Sequence, residues 1–375
     1  MRSGASGRPR SQRRRPNQDG GAGRTQGAIR SIPTYRSASS NHYVSTPSLS
    51  ELIEQSLEAR AGFFDAEHVA AVRLFNGFRE GWPELVIDLY GRTVLINSYA
   101  DPPEAGLQGV REAAERVRAR LAWLQAGVVK HRNGSTDEQR RGRLIFGGQP
   151  DDKIREGGIW YAIDLRFGRD ASFYLDTRNL RAWASRSLRG KTVLNAFAHT
   201  GSLGVAAAAS GALRVVQLDR SDRFLDLARR SYALNGLVVA PADFIRADFF
   251  RQAGKYRRQN QRFDCVFIDP PFFATGSTGT VDQVHESARL INKARPLVED
   301  SGYLVAVNNA LYMSGKDYME TIERLCADGY LSLAELLPVP EDCVGYGPGG
   351  GAPPIADPTP FNHATKIAIL RVQRK

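Results

Sequence analysis

The stretch Thr192-Val193-Leu194-Asn195-Ala196-Phe197-Ala198-His199-Thr200-Gly201 is followed by Val215-Val216-Gln217-Leu218-Asp219, Arg246-Ala247-Asp248-Phe249 and Phe263-Asp264-Cys265-Val266-Phe267-Ile268-Asp269-Pro270-Pro271-Phe272-Phe273. Each contains a short apolar run, as a strand buried on both faces does, and ends in a glycine-containing turn or an acidic residue. Open parallel sheets bind ligands at the carboxyl ends of their strands. Together the four runs predict one edge of a nucleotide-type cofactor site with a reaction site attached.

Working outward, strand-like runs alternate with helical patterns: strands at 192–197, 214–218, 243–247, 263–268 and 303–307, and helices at 202–210, 221–235, 281–299 and 315–328. Such alternation builds a doubly wound, Rossmann-like parallel sheet. Residues 330–337 and 366–372 read as two more strands joined by a long Pro/Gly-rich connection. Upstream, Leu49, Leu52, Ile53 and Leu57 mark one face of a helix, with Thr46 and Ser48 available as caps. Strands at 69–75, 85–89 and 93–98, a helix at 103–124 and a hairpin-like pair at 143–147 and 158–165 follow. The expected organisation is a tail at 1–47, a small mixed α/β domain at 48–166 and the doubly wound domain at 167–375.

The chain has 375 residues, 42% of them apolar, enough to bury a full core. Residues 1–40 hold nine Arg, no Lys and one acid, Asp19, so they carry about +8 of the formal +11. Rich in Arg, Gly, Ser and Gln and poor in large apolar groups, the first 47 residues are expected to be disordered. Their composition fits a transit peptide to a mitochondrion or plastid, an arm that touches RNA phosphates, or a solvated tail of a cytoplasmic protein. Three cysteines without paired spacing near His argue against a disulfide framework or a metal site. No run of 18 apolar residues is present, so no membrane span is expected.

The turn from Asn195 to Gly204, with Asn195, Phe197, Thr200 and Gly201, should bring backbone amides and a helix start up to the cofactor. Asp219 stands eighteen residues beyond Gly201, where a carboxylate can accept both ribose hydroxyls of an adenosine; the plainer role is a helix N-terminal charge beside Ser221. Asp248 would meet the adenine amino group, with Phe249 on the ring. In Asp269-Pro270-Pro271-Phe272 two prolines fix a rigid turn that can aim a carbonyl and a carboxylate at one point, with Phe272 or Phe273 stacking on a planar acceptor. Asn308 and Asn309, ending the fifth strand, could add amide hydrogen bonds to that acceptor or merely form a turn. The set reads as a site for methyl transfer from S-adenosylmethionine, in which positioning does most of the catalysis.

These segments, with Arg73 to Gly77, Leu85 to Gly91, Phe173-Tyr174-Leu175-Asp176-Thr177-Arg178 and Leu234-Asn235-Gly236, resemble the class I methyltransferases that modify bacterial large-subunit ribosomal RNA. The similarity is to the I type and to the K half of the K/L type, over residues 69–372. It implies a seven-stranded sheet with a terminal antiparallel strand, S-adenosylmethionine as donor, and Phe173, Asp176 and Arg178 lining the cofactor site. It also implies a ribosomal RNA substrate. The I-type enzymes use a Cys at the end of the fifth strand to methylate cytosine carbon, where this chain has Asn308-Asn309. Of the three cysteines, Cys265 is expected mid-strand, Cys326 late in a helix, and only Cys343 in a loop that could approach the cleft. The departure favours a nitrogen acceptor, guanine first. The alternatives are a methyltransferase of protein side chains and an inactive homologue that keeps the cofactor or RNA.

Overall fold

The computed structural model describes residues 47–276, 279–347 and 360–374. The Arg-rich tail and residues 348–359 of the Pro/Gly-rich connection lie outside them. Helix α1 (Leu49–Ala59) begins at Ser48, whose hydroxyl accepts from the Glu51 amide while the Glu51 carboxylate reaches back to the Ser48 amide. Its face of Leu49, Leu52, Ile53 and Leu57 is buried as the spacing predicts.

A first sheet runs in the order β1 (Ala71–Asn76), β2 (Leu85–Tyr90), β3 (Thr93–Ser98), β4 (Ala126–His131), β5 (Arg143–Gly147). All neighbours are antiparallel except β3 and β4, which are parallel and joined through α3 (Leu107–Arg120). The short helices α2 (Gly77–Glu80) and α4 (Asp137–Arg141) fill the connections. Two expectations fail here. Residues 126–131, where no strand is expected, form a central one, and 143–147 pairs with that strand. The expected hairpin partner, 158–165, contributes instead β7 (Ile159–Ala162), which pairs with β6 (Lys153–Glu156).

The second sheet is the doubly wound one, ordered β10 (Phe244–Arg246), β9 (Arg214–Asp219), β8 (Thr192–Ala196), β11 (Phe263–Ile268), β14 (Val298–Asn308), β16 (Lys366–Val372), β15 (Leu331–Leu337). The first five are parallel, and β16 runs antiparallel to both of its neighbours. The antiparallel strand therefore sits one place in from the edge. Its helices are α5 (Arg178–Ser187), α6 (Ser202–Ala209), α7 (Asp222–Leu234), α8 (Phe249–Arg258), α9 (Ser287–Ala294), α10 (Gly315–Cys326) and α11 (Glu341–Val344). The helix expected over 281–299 is shorter than its apolar pattern. A hairpin of β12 (Phe273–Gly276) and β13 (Gly279–Asp282) precedes it, and the Asp282 carboxylate turns the chain by accepting from the amides of Val284 and His285.

The two sheets share a buried cluster in which Tyr90, Leu95 and Val128 of the first meet Phe173, Val205, Ala228 and Val344 of the second. Polar contacts fasten α11 to the first sheet. Asp342 accepts from the Arg73 amide at 3.0 Å and pairs with Arg178 at 2.7 Å. The buried Arg60 guanidinium joins Glu80 at 2.6 Å and the Asp342 carbonyl at 2.9 Å. Among the described residues no helix is long and apolar enough to cross a membrane.

Candidate active site

Parallel strands leave their carboxyl ends on one edge of the sheet, and there β8, β9, β10, β11 and β14 open onto a cleft of about 650 Å³. Asn195, Phe197, Asp219, Asp248, Asp269, Pro270 and Phe272 all line it, and so does Asp176 from the segment before α5. The strand-end acids predicted from the sequence are thus brought together.

Asp219 holds the turn after β8 in place. One carboxylate oxygen accepts from the His199 amide at 2.8 Å and the other from the Ser221 amide at 2.9 Å. Burial lifts its pKa above the usual carboxylate value, partly offset by these amides. A carboxylate has about four lone-pair sites, so two amide bonds leave capacity for two hydroxyls. Asp248 is the N-cap of α8, accepting from the amides of Phe250 and Arg251 at 3.0 and 3.2 Å. Phe197 and Phe249 meet at 5.0 Å between ring centroids and give the cleft an apolar wall beside it.

At the other end stand Asp269 and Asp176. Burial, and then the Asp176 charge, push the Asp269 carboxyl up to about 7. Asp176 accepts from the Thr365 hydroxyl at 2.6 Å. Two neighbouring acids are relieved by a cation, and the residues present suit an adenosine sulfonium: Asp219 has spare acceptor capacity, Phe197 and Phe249 offer flat apolar faces, and Asp176 and Asp269 can face a positive charge. The Pro270 carbonyl is not aimed at an acceptor. It receives the Gln283 amide group and, at 3.3 Å, that of Asn309. The turn is pinned from behind, and the Asp269 side chain and the half-exposed Phe272 ring remain toward the cleft.

Five residues expected to contact cofactor or acceptor stand behind the wall instead. Phe173 is buried in the core shared by the sheets, with Arg181 over its ring at 4.0 Å. Arg178 is held by Asp342, by Glu156 at 3.5 Å and by the Ala71 carbonyl, so it ties the segment carrying Asp176 to β1. The Thr200 hydroxyl donates to the Ser172 carbonyl at 2.5 Å. Gly201 has φ of 78°, and a Cβ there would lie 2.6 Å from that of Ala228. Its bare α-carbon is needed for the packing of α7, and it is not among the residues that line the cleft. Asn308 is 1% exposed, its amide donating to the Gln283 carbonyl and the Ser287 hydroxyl at 2.9 and 2.8 Å and its oxygen accepting from the Ala310 amide. Its neighbour Asn309 is the one that lines the cleft.

No cysteine lines the cleft. Cys265 and Cys343 are fully buried, and burial pushes both thiols up; Cys326 sits at the end of α10. Lys130 is enclosed in β4 and donates to the carbonyls of Gly168 and Asp170. The sequence reading missed His199, Tyr174, Phe224 and Thr365, all on the cleft wall. His199 lies between Tyr174 at 5.0 Å and Phe224 at 4.3 Å, and burial lowers its pKa to about 4, so it is a neutral ring at physiological pH. Its place before Thr200-Gly201 was the available signal; the left-handed φ of 50° shows only in the structure.

Among curated proteins, the chain is 32% identical over 220 residues to ribosomal RNA large subunit methyltransferase I of Aeromonas hydrophila, covering 58% of this chain and 55% of that one. It is 31% identical over 263 residues to ribosomal RNA large subunit methyltransferase K/L of Psychrobacter arcticus, covering 65% and 33%. The chain thus spans about half the length of the first of these relatives. Among solved structures it superposes on SMU.776 complexed with SAH at a TM-score of 0.74 and 24% identity, over 86% of this chain and 81% of that one. That likeness supports the fold. A family model described as S-adenosylmethionine-dependent methyltransferase matches residues 72–349, most of both sheets and every strand end that forms the cleft. The chain belongs to the S-adenosylmethionine-dependent methyltransferase family.

Proposed function

We propose that the protein methylates a nitrogen atom of an RNA base, with guanine in ribosomal RNA as the favoured substrate. The observation that carries the choice of atom is the chemistry of the cleft end: a carboxylate able to take up a proton near neutrality, and no thiol. Methylating a cytosine carbon needs a thiolate to add to the ring, which buried Cys265 and Cys343 cannot supply. When bound, S-adenosylmethionine supplies an electrophilic methyl carbon, open to an aligned lone pair without a general acid.

In this reading Asp219 holds the ribose, Asp248, Phe249 and Phe197 surround the adenine, and Asp176 and Asp269 face the charged end. Asp269 also orients the N–H of the acceptor and takes its proton. Phe272 stacks on the base, and Asn309 keeps the Pro270 turn rigid. The RNA assignment is supported by the curated relatives, which are named as ribosomal RNA large subunit methyltransferases.

The test is incubation of the full chain with methyl-labelled S-adenosylmethionine and ribosomal RNA from a strain lacking the protein, followed by nucleoside mass spectrometry. Label in a methylguanosine is the expected result. Label in 5-methylcytidine overturns the nitrogen assignment, and label in protein alone overturns the RNA assignment.

A further inference from the structure

Four large apolar side chains stand exposed at the mouth of the cleft. Phe272 is 44% exposed, Phe273 56%, Leu311 75% and Tyr312 82%. They come from the two segments that follow adjacent strands, β11 and β14, at the same edge, Phe273 opening β12. The Phe272 and Tyr312 rings approach to 6.5 Å between centroids at a tilt of 58°. Phe272 is part of the cleft wall, whereas Phe273, Leu311 and Tyr312 lie outside it.

Clustered exposed apolar side chains mark a surface that is covered in use. A membrane or a second copy seated on this one would block the route to Asp269, so the occupant must be the substrate. Its chemistry follows from two features. Exposed aromatic faces stack on bases of any sequence, and the exposed residues Arg220 and Arg169, the latter with its guanidinium also donating to the Arg132 carbonyl, line the same cleft, suiting a polyanion.

We propose that Phe273, Leu311 and Tyr312 form a stacking collar for the unpaired nucleotides on either side of the acceptor base, which enters the cleft against Phe272. The substrate strand is single-stranded where it meets the protein. A base inside a duplex cannot reach Asp269, and a strand with an extruded base loses stacking at its neighbours; the collar replaces that stacking. This rests on the RNA reading above and adds to it the form of the RNA and the residues that read it.

The test uses the full-length protein saturated with S-adenosylhomocysteine and a fluorescently labelled RNA oligonucleotide, single-stranded or annealed to its complement, with anisotropy as readout. Single-strand binding should exceed duplex binding. Phe273→Ala and Tyr312→Ala should each weaken it by about five-fold or more, with the salt dependence of binding unchanged because no phosphate contact is lost. Tyr312→Trp should restore wild-type affinity. The affinity for S-adenosylhomocysteine should be the same in all variants. Equal affinity for duplex, or Ala variants that bind like wild type, overturns the collar while leaving the RNA reading intact. Failure of wild type to bind either RNA overturns both.

Discussion

Asp219→Ala separates two tasks that one carboxylate performs. In the folded chain it accepts from the amides of His199 and Ser221 at 2.8 and 2.9 Å, so its removal strips two part-buried donors of their acceptor. Each such donor costs about 1–3 kcal/mol if it stays dry and less where water reaches it, so the melting temperature should fall by a few degrees. Loss of the ribose hydroxyls from a charged acceptor costs roughly 1.5–3 kcal/mol, or about 10- to 150-fold in cofactor affinity. Asp219→Asn should behave similarly, because an amide retains one acceptor and turns an NH₂ toward the second backbone donor. Calorimetric titration with S-adenosylhomocysteine, at a temperature where each variant is fully folded by circular dichroism, reads the second effect without the first. An affinity within two-fold of wild type, with the melting temperature lowered, would refute the ribose assignment and leave Asp219 as a brace for the turn.

Asp269 should set the pH dependence. Its folded pKa of about 7 lies above the ordinary 3.8, so the folded state holds a proton that the unfolded chain has released between those values. The stability from this group is full below about 4 and is lost as pH rises through about 7; chemical denaturation across that window should show the decline, and Asp269→Asn should flatten it. Turnover should move the opposite way, kcat/KM rising with pH to an inflection below the cofactor-free value of about 7, because only the ionised carboxylate accepts the proton and the bound sulfonium favours that form. Asn308→Ala should lower stability by roughly 2–4 kcal/mol, since it empties a buried knot of hydrogen bonds, whereas Asn309→Ala should leave the melting temperature nearly unchanged and reduce kcat. Cys343→Ala should cost some stability and retain methyl transfer; a folded variant that binds cofactor but transfers nothing would return carbon methylation to consideration.

The strands of the second sheet were legible because burial on both faces demands near-continuous apolar runs, as in Cys265 to Ile268, and their terminal acids mark the ligand edge. Strand β4 was hidden by the opposite situation. Lys130 and His131 are buried there, the lysine satisfied by carbonyls that no local pattern announces. In the site, Asp219, Asp248 and Asp269 stand where strand ends put them. Phe173, Arg178, Thr200 and Asn308 belong to motifs that surround the cleft, but a motif does not say which of its side chains face forward. That choice depends on partners distant in sequence, such as Asp342 for Arg178 and Gln283 for Asn308. Thr365 shows the same limit from the other side, reaching Asp176 across 189 positions.

The place of β16 bears on how the molecule is made. This strand lies between β14 and β15, although β15 precedes it in the chain. During synthesis, β15 has no neighbour to join until β16 has left the ribosome, and the flank of β14 stays open in the meantime. Such an unpaired edge is a template for pairing with other chains. Deleting β16 would therefore remove two strands from the sheet rather than one, and with them Thr365 from the cleft wall. Closure of the cofactor site waits on the arrival of a segment that follows all the predicted motifs.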